Sequence, residues 1–401
     1  MKRLHPIILT LLFSFSLWGG DALSGIISAQ SAVLMDYETG RILYEKDGNV
    51  PIPPASMAKV MTLYLTYDAI REGRLEKERI ITIDEVGSSF SRPPRSSLML
   101  LEEGQEVSVL GLMEGLAIAS GNDAAYALAD LIGPGVDAFV DKMNRKAEEL
   151  GLRETCFVDP DGWSEYNLVT AEEYALLARH YIQDYPEALV ELHSVPYLVY
   201  PLPDNMPEDR SFRIKVPRKK NNTNKLLGSY EGIDGLKTGY IDESGFNFSA
   251  TARRQDTRLI SVIMGIRRES YFQGLLRRAE ESASLLDYGF DNYKSEELAE
   301  PVLPELRVWM GSETDLVPIV PEGAAALLRE GELCSVYSMV SLEQQITAPV
   351  LSDDIIGSIR YYIGSVLLDE VPVHAGRNIP EGNFFQKLRD RVLQKWMEWQ
   401  E

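Results

Sequence analysis

The sequence predicts an α/β domain, an antiparallel sheet with a helical subdomain, followed by a small all-β domain and a C-terminal amphipathic helix. Three observations predict it. Over roughly the first 290 residues, strand-like and helical runs fall in segregated blocks, the order expected of an antiparallel sheet with helices packed on it. From Val302 to about Val373, short β-rich runs alternate with turns and no helical period dominates. The last stretch, from Phe384 to Glu401, sets Phe385, Leu388, Val392, Trp396 and Trp399 on one stripe.

Composition bounds the chain further. Its 401 residues, 45% hydrophobic and 25% charged, are globular in character and long enough for two domains. A formal charge of −21 argues against nucleic acid as a partner, because phosphates demand clustered Lys and Arg. The cysteines, Cys156 and Cys334, lie in different expected domains and make no disulfide framework. No Cys/His cluster supports a metal, and no cofactor is expected.

Taken in order, Met1 to His5 and the apolar run Ile7 to Trp18 read as a secretory signal within residues 1–29. Cleavage after Ser24 and cleavage after Ala29 both fit, and the run is too short for a comfortable membrane span. Ser31–Asp36 and Arg41–Glu45, separated by a turn at Gly40, predict a strand hairpin. Pro51, Pro53 and Pro54 then deliver the chain to an apolar helix that begins with Ser56 and Lys59. Positions i and i+3 share a helix face, so the Lys59 amine can reach the Ser56 hydroxyl. The helix is apolar nearly all round, and a lysine buried at its start is costly unless paired or neutral, which points to a lowered pKa.

A second apolar helix from Ser108 to Ala119 stops at Ser120-Gly121-Asn122-Asp123, a turn and N-cap cluster ahead of an Ala-rich helix to Ile132. Thr170 with Glu173 predicts a capping box for a helix through Ile182, with His180 as an ordinary partly buried residue. Ser194 to Val216, with four prolines, reads as a long irregular excursion. After Lys237-Thr238-Gly239-Tyr240 come two antiparallel strands, Phe246 to Arg253 and Leu259 to Ile266, then a helix from Tyr271 to Tyr288 packing Leu275, Leu276, Ala279 and Leu286. These residues complete a first domain expected over 30–290. Asp291 to Pro304 is an acidic linker, the β domain spans 301–378, and the terminal helix covers 380–401. Lys387, Arg391 and Lys395 flank the apolar stripe and Arg389 must snorkel, so that helix fits a membrane interface, the alternative being a dock on its own domain.

Ser56-x-x-Lys59, Ser120-Gly121-Asn122 and Lys237-Thr238-Gly239 are each weak signals, but together and in this order they form the set of the penicillin-recognising serine enzymes. The chain resembles the D-alanyl-D-alanine carboxypeptidases among the low-molecular-mass penicillin-binding proteins, over nearly its whole length. The resemblance implies a β-lactamase/transpeptidase-like fold and an exported enzyme on the periplasmic side of the cytoplasmic membrane, peripherally anchored. It also implies removal of the terminal D-alanine from peptidoglycan pentapeptide stems, with β-lactams as acylating inhibitors. Ala58, where the family has Thr, and Tyr240, where it commonly has Thr, Ser or His, depart from the pattern.

In the mechanism so implied, neutral Lys59, its pKa lowered by burial and by Lys237, deprotonates Ser56. Backbone N–H groups of Ser56 and Tyr240 hold the oxyanion, Ser120 relays the proton to the leaving D-alanine, and Asn122 orients Lys59 and the substrate amide. Lys237, Thr238 and Gly239, with Arg277 by resemblance, take the substrate carboxylate. A class A β-lactamase is disfavoured because Trp163 to Asn167 lacks the Glu and Asn spacing that rapid deacylation needs. An idle wall-binding scaffold is disfavoured by the complete motifs.

Overall fold

The computed structural model describes residues 23–399 except 269, so the expected signal lies outside the described residues up to position 22. Leu23, Ile27 and Ala29 are buried in the core, and the Ala29 N–H donates to Glu281 at 2.9 Å. Of the two expected cleavage points, the one after Ser24 leaves Ile27 and Ala29 in place.

The first domain runs β1 (Ser31–Asp36), β2 (Ile42–Lys46), α1 (Lys59–Arg71), β3 (Ile80–Thr82), β4 (Glu106–Ser108), α2 (Val109–Ile118), α3 (Asn122–Ile132), α4 (Val136–Glu149) and α5 (Ala171–Asp184). It continues through β5 (Tyr197–Tyr200), β6 (Arg218–Asn221), β7 (Ile233–Ile241), β8 (Gly245–Arg254), β9 (Thr257–Ile266) and α6 (Tyr271–Asn292). The main sheet is antiparallel in the order β2-β1-β9-β8-β7, with the expected hairpin on one side and β7 at the other edge.

Alternation along the strands sorts side chains to two faces. Val33 and Met35 of β1, with Ile260, Val262 and Met264 of β9, face the helical subdomain, whereas Ala32, Leu34, Leu259 and Ile263 face α6. Fully burying a side chain such as Leu34 contributes about 1.5–3 kcal/mol. The subdomain fixes its helices by caps: the Ser108 hydroxyl accepts from Gly111 N–H, and Thr170 from Glu173 N–H. The expected capping box at Thr170 is only half formed, because the Glu173 carboxylate accepts from Glu154 N–H and the Thr155 hydroxyl instead.

Three expectations need correction. The excursion after Ser194 opens with a strand, since β5 pairs with β6 in the register Tyr197↔Asn221 to Tyr200↔Arg218. On α6, Leu276 faces solvent, and the buried stripe runs through Gly274, Arg278, Glu281, Ser282 and Leu285. The acidic linker contains β10 (Tyr293–Glu297), which pairs with β13 (Ala325–Arg329), so the β domain begins before residue 301. Only Tyr293 of β10 is buried, which is why the strand reads as a loop in sequence.

The rest of the β domain comprises β11 (Leu306–Trp309), β12 (Asp315–Leu316), β14 (Val336–Leu342), β15 (Ile346–Thr347), β16 (Ile355–Ile363) and β17 (Val366–His374), around a core that includes Val308, Leu328, Ile359 and Val373. Arg41 ties it to the first domain, donating to Glu332 at 2.6 Å and to the Leu327 carbonyl. The terminal helix α7 (Phe384–Glu398) starts at an Asn383–Gln386 capping box. One side docks: buried Asp390 accepts from Met310 N–H at 2.7 Å and from Arg307, and Arg389 bonds Asp390 rather than snorkelling past an apolar arc. The other side leaves Phe385, Leu388, Val392, Trp396 and Trp399 exposed. Among the described residues no helix is long and apolar enough to cross a membrane, and both cysteines are free.

Candidate active site

Ser56 sits in a single turn of 3-10 helix, Ala55–Ala58, that runs directly into α1. The turn is wedged between two glycines. A Cβ on Gly239 of β7 would stand 2.4 Å from the Pro54 carbonyl oxygen, and one on Gly162, whose φ is +76°, 1.8 Å from that of Ala55. Neither position tolerates a side chain, so both surfaces close on the backbone that carries the hydroxyl. The Asn247 side chain donates to the Pro53 carbonyl at 2.9 Å and steadies the proline entry.

Lys59 is completely buried, and its Nζ donates to Ser56 Oγ at 2.8 Å and to the Asp161 carbonyl at 2.6 Å. Burial pushes the amine down to about 8, while the carboxylates of Asp161, Asp159 and Asp123 pull it back up. The direction expected from sequence stands, but the charges acting on Lys59 are acidic ones. Burial raises the Asp161 carboxyl, against the pull of the Lys59 charge. Asp123 receives the N–H groups of Met99, Leu100 and Leu101 and thereby fastens a loop along the start of α3.

Ser120, buried with φ +57°, accepts from Lys237 Nζ at 2.9 Å, so residues 117 positions apart in sequence meet beside the Ser56–Lys59 pair. Lys237 also donates to the Thr238 carbonyl at 3.1 Å. Its ammonium is disfavoured first by burial, then by the charges of Lys59 and Arg278. Asn122 heads α3, where its backbone N–H donates to Ser97, and its side-chain oxygen is buried with no partner among the described residues. No hydrogen bond joins it to Lys59, so the orienting role expected from sequence has no contact to support it, while its acceptor is open to an incoming N–H.

Thr238 Oγ1 donates to Thr223 Oγ1 at 2.8 Å. Thr223 is held between Asn222, which donates to the His193 and Val195 carbonyls, and Asn224, which donates to Gly235. The Tyr240 hydroxyl donates to Asp242 at 2.6 Å, which raises it to about 12, and its ring packs on Phe246 and Tyr271. This departure from the family pattern therefore turns away from Lys59.

Arg277 is the one expected site residue placed elsewhere. Its Nε donates to Glu281 at 2.7 Å and its Nη2 to the Ile26 carbonyl, on the outer side of α6. The neighbouring Arg278 is buried and donates to the Gly239 carbonyl at 3.2 Å, beneath the Lys237-Thr238-Gly239 strand. Sequence reasoning missed it by one position, about 100° of helix. The stripe of small residues at Gly274 and Ser282, four before and four after Arg278, was the available signal.

No histidine contacts Ser56 among the described hydrogen bonds. Buried His193, pushed down to about 4 chiefly by burial, lies between the Tyr181 hydroxyl and the Leu236 carbonyl. In the Trp163–Asn167 loop, Glu165 is exposed, and the Asn167 amide is spent on Val158, Asp159 and Ser164.

Comparison with known proteins agrees with this geometry. Residues 21–268 match the family model described as D-alanyl-D-alanine carboxypeptidase, and residues 298–381 match the penicillin-binding protein 5 C-terminal domain. The chain is 30% identical to the D-alanyl-D-alanine carboxypeptidase DacC of Escherichia coli over 93% of its length and 90% of that protein's, and 32% identical to DacD of the same organism over 97% and 98%. Among solved structures, penicillin-binding protein 5 of Haemophilus influenzae superimposes with a TM-score of 0.70 at 29% identity, over 88% of this chain and 98% of that one. Penicillin-binding protein D2 of Listeria monocytogenes, solved in cefotaxime- and ampicillin-bound forms, gives 0.54 at 28% identity over 66% and 98%. With its Ser–Lys pair, its assembled motifs and its two matched domains, the chain belongs to the D-alanyl-D-alanine carboxypeptidase family of serine hydrolases.

Proposed function

We propose that Ser56 is the nucleophile and neutral Lys59 its general base, in an enzyme that removes the terminal D-alanine from peptidoglycan pentapeptide stems. The observation that carries this reading is the 2.8 Å contact between Ser56 Oγ and a buried amine whose pKa is lowered to about 8. Lys59 takes the hydroxyl proton as Oγ attacks the penultimate D-alanine carbonyl carbon. The backbone N–H groups of Ser56 and Tyr240 receive the oxyanion. As the C–N bond breaks, the proton held by Lys59 passes through the Ser120 hydroxyl, itself linked to Lys237, to the departing amine, which leaves Lys59 neutral again. Lys59 then takes a proton from the water that attacks the ester carbonyl and returns it to Ser56 Oγ as the acyl–oxygen bond breaks.

The substrate's terminal carboxylate is bound by Lys237 and Thr238, with Gly239 allowing the close approach and Arg278, not Arg277, supplying the guanidinium charge behind the strand. An entering carboxylate gives buried Lys237 the counter-charge it lacks. Asn122 accepts from the substrate amide through its unpartnered oxygen. β-Lactams acylate the same hydroxyl, a reading supported by the relatives solved with bound ampicillin and cefotaxime. The protein acts after export, on the periplasmic side of the cytoplasmic membrane, where the exposed apolar stripe of α7 lies in the interface as a peripheral anchor.

Intact mass after exposure to benzylpenicillin tests the assignment. Wild type gains one covalent adduct and Ser56→Ala none, whereas an equal adduct on the variant overturns the nucleophile. Co-sedimentation with phospholipid vesicles tests the anchor, which fails if removing residues 384–401 leaves binding unchanged.

A further inference from the structure

His193 is buried and titratable, yet it takes no part in the proton transfers among Ser56, Lys59 and Ser120. It ends a π-helical turn, Leu189–His193, that packs against the start of β7. A Cβ on Gly235 would stand 3.2 Å from Leu189 Cδ2 and 3.6 Å from His193 Cβ, so the turn lies on a strand position kept free of a side chain. Both ring nitrogens are engaged, Nδ1 at 3.0 Å from the Leu236 carbonyl oxygen and Nε2 at 3.1 Å from the Tyr181 hydroxyl. A carbonyl can only accept, so Nδ1 carries the proton, Nε2 is the acceptor and the Tyr181 hydroxyl donates. Burial, and then the Lys237 charge, keep the ring neutral and so hold this tautomer.

Tyr181 is itself fixed, wholly buried on α5 with its ring against those of Tyr64, Tyr67 and Tyr185. The imidazole therefore ties a rigid helical side chain to the residue before Lys237. A second route leads from the same residue to Thr238. The His193 carbonyl accepts from Asn222 Nδ2 at 3.1 Å, and Asn222 Oδ1 accepts from Asn224 N–H at 2.9 Å. Asn224 Nδ2 in turn donates to the Gly235 carbonyl at 3.0 Å. Thr223, between the two asparagines, meets the Thr238 hydroxyl at 2.8 Å. The circuit thus returns to β7 at Gly235, Leu236 and Thr238, on both sides of Lys237. As the edge strand of the main sheet, β7 is held by β8 on one side, and these side chains serve where a second strand would stand.

We infer that His193 is a positioning residue for carboxylate recognition: through its ring on Leu236 and its carbonyl on Asn222 it sets where Lys237 and Thr238 stand. The inference rests on the carboxypeptidase reading, in which those two residues take the substrate's terminal carboxylate. Charge-assisted hydrogen bonds are short and directional, so a strand that shifts by a fraction of an ångström weakens them. Loss of the Leu236 contact should therefore cost recognition of the carboxylate rather than the chemistry at Ser56.

Acylation by benzylpenicillin and by its methyl ester tests this, because the ester keeps the β-lactam and lacks the carboxylate charge. The quantity read is the ratio of the two second-order rate constants, which a general loss of packing leaves unchanged. Wild type should favour the acid by at least about tenfold. His193→Gln sets its amide where Nε2 stood, keeps Tyr181 and gives up Leu236, so the ratio should fall about fivefold, the size of one neutral hydrogen bond. His193→Asn sets its amide nitrogen where Nδ1 stood, keeps Leu236 and should stay within about twofold of the wild-type ratio. With a peptide ending in D-alanyl-D-alanine, the Gln variant should raise KM more than it lowers kcat. A ratio unmoved in the Gln variant, or lost equally in both, overturns the inference and leaves the carboxypeptidase reading standing. Wild type acylated equally by acid and ester, or by neither, overturns that reading and the inference with it. Should neither variant fold, the ring-nitrogen NMR spectrum of wild type decides. The histidine that stays neutral at about pH 5.5 should be the Nδ1–H tautomer, and its Nδ1 resonance should move on acylation by the acid and not by the ester. The Nε2–H tautomer, or a resonance that does not move, overturns the inference.

Discussion

Replacing Lys59 with arginine keeps a cation near Ser56 but removes the neutral base. Burial holds Lys59 at about 8, so at pH 7 about a tenth of the molecules carry a neutral amine, against about 0.03% for a lysine at its ordinary 10.5. An arginine, with a pKa above 12, is neutral in at most about one molecule in 10⁵ at that pH. Acylation by a fluorescent penicillin, followed by stopped flow, should therefore slow by at least about 10⁴-fold, a barrier increase of about 5 kcal/mol. The working form is the deprotonated one, so the wild-type rate should rise with pH and level off above about 8. An arginine variant within tenfold of wild type, or a wild-type rate flat from pH 5 to 9, would refute Lys59 as the base.

Three further outcomes follow from the same contacts. Asp161→Asn keeps the backbone carbonyl that receives Lys59 but removes a carboxylate that raises the amine's pKa, so the midpoint of the acylation profile should move to lower pH; a move upward contradicts the electrostatic account. Gly162→Ala would force a Cβ to within 1.8 Å of the Ala55 carbonyl oxygen at a positive φ, and urea unfolding should show a loss of about 3 kcal/mol or more. Arg278→Ala should raise KM for a D-alanyl-D-alanine peptide while Arg277→Ala leaves it within about twofold, and the reverse ranking would restore the sequence-based assignment.

Local periodicity made the first domain legible, but not everything about the site. The Ser56–Lys59 contact follows from a spacing of three on one helical face, and β8 with β9 follows from two strand-like runs joined by a short turn, the first alternating apolar and polar residues. The meeting of Ser120 with Lys237 has no local signal at all, and only the ordered set of motifs foretold it. The assignment of Arg277 rests on resemblance and not on the helix phase, and a one-residue slip turns the guanidinium by about 100° from the strand to the Ile26 carbonyl and Glu281. β10 was missed because its solvent-facing Lys294, Ser295, Glu296 and Glu297 carry no apolar alternation, leaving only backbone pairing to define it. For α7 the docking alternative holds on one side, where Asp390 ties the helix to the β domain, while the apolar stripe stays exposed on the other.

Release of free D-alanine from a defined pentapeptide ending in D-alanyl-D-alanine, by wild type and by Ser56→Ala, tests the account most directly. Wild type should liberate one D-alanine per peptide and no second residue, and the variant should release none above the uncatalysed background. An intact pentapeptide after incubation with wild type, or equal release by the variant, would contradict a carboxypeptidase built on Ser56 and Lys59.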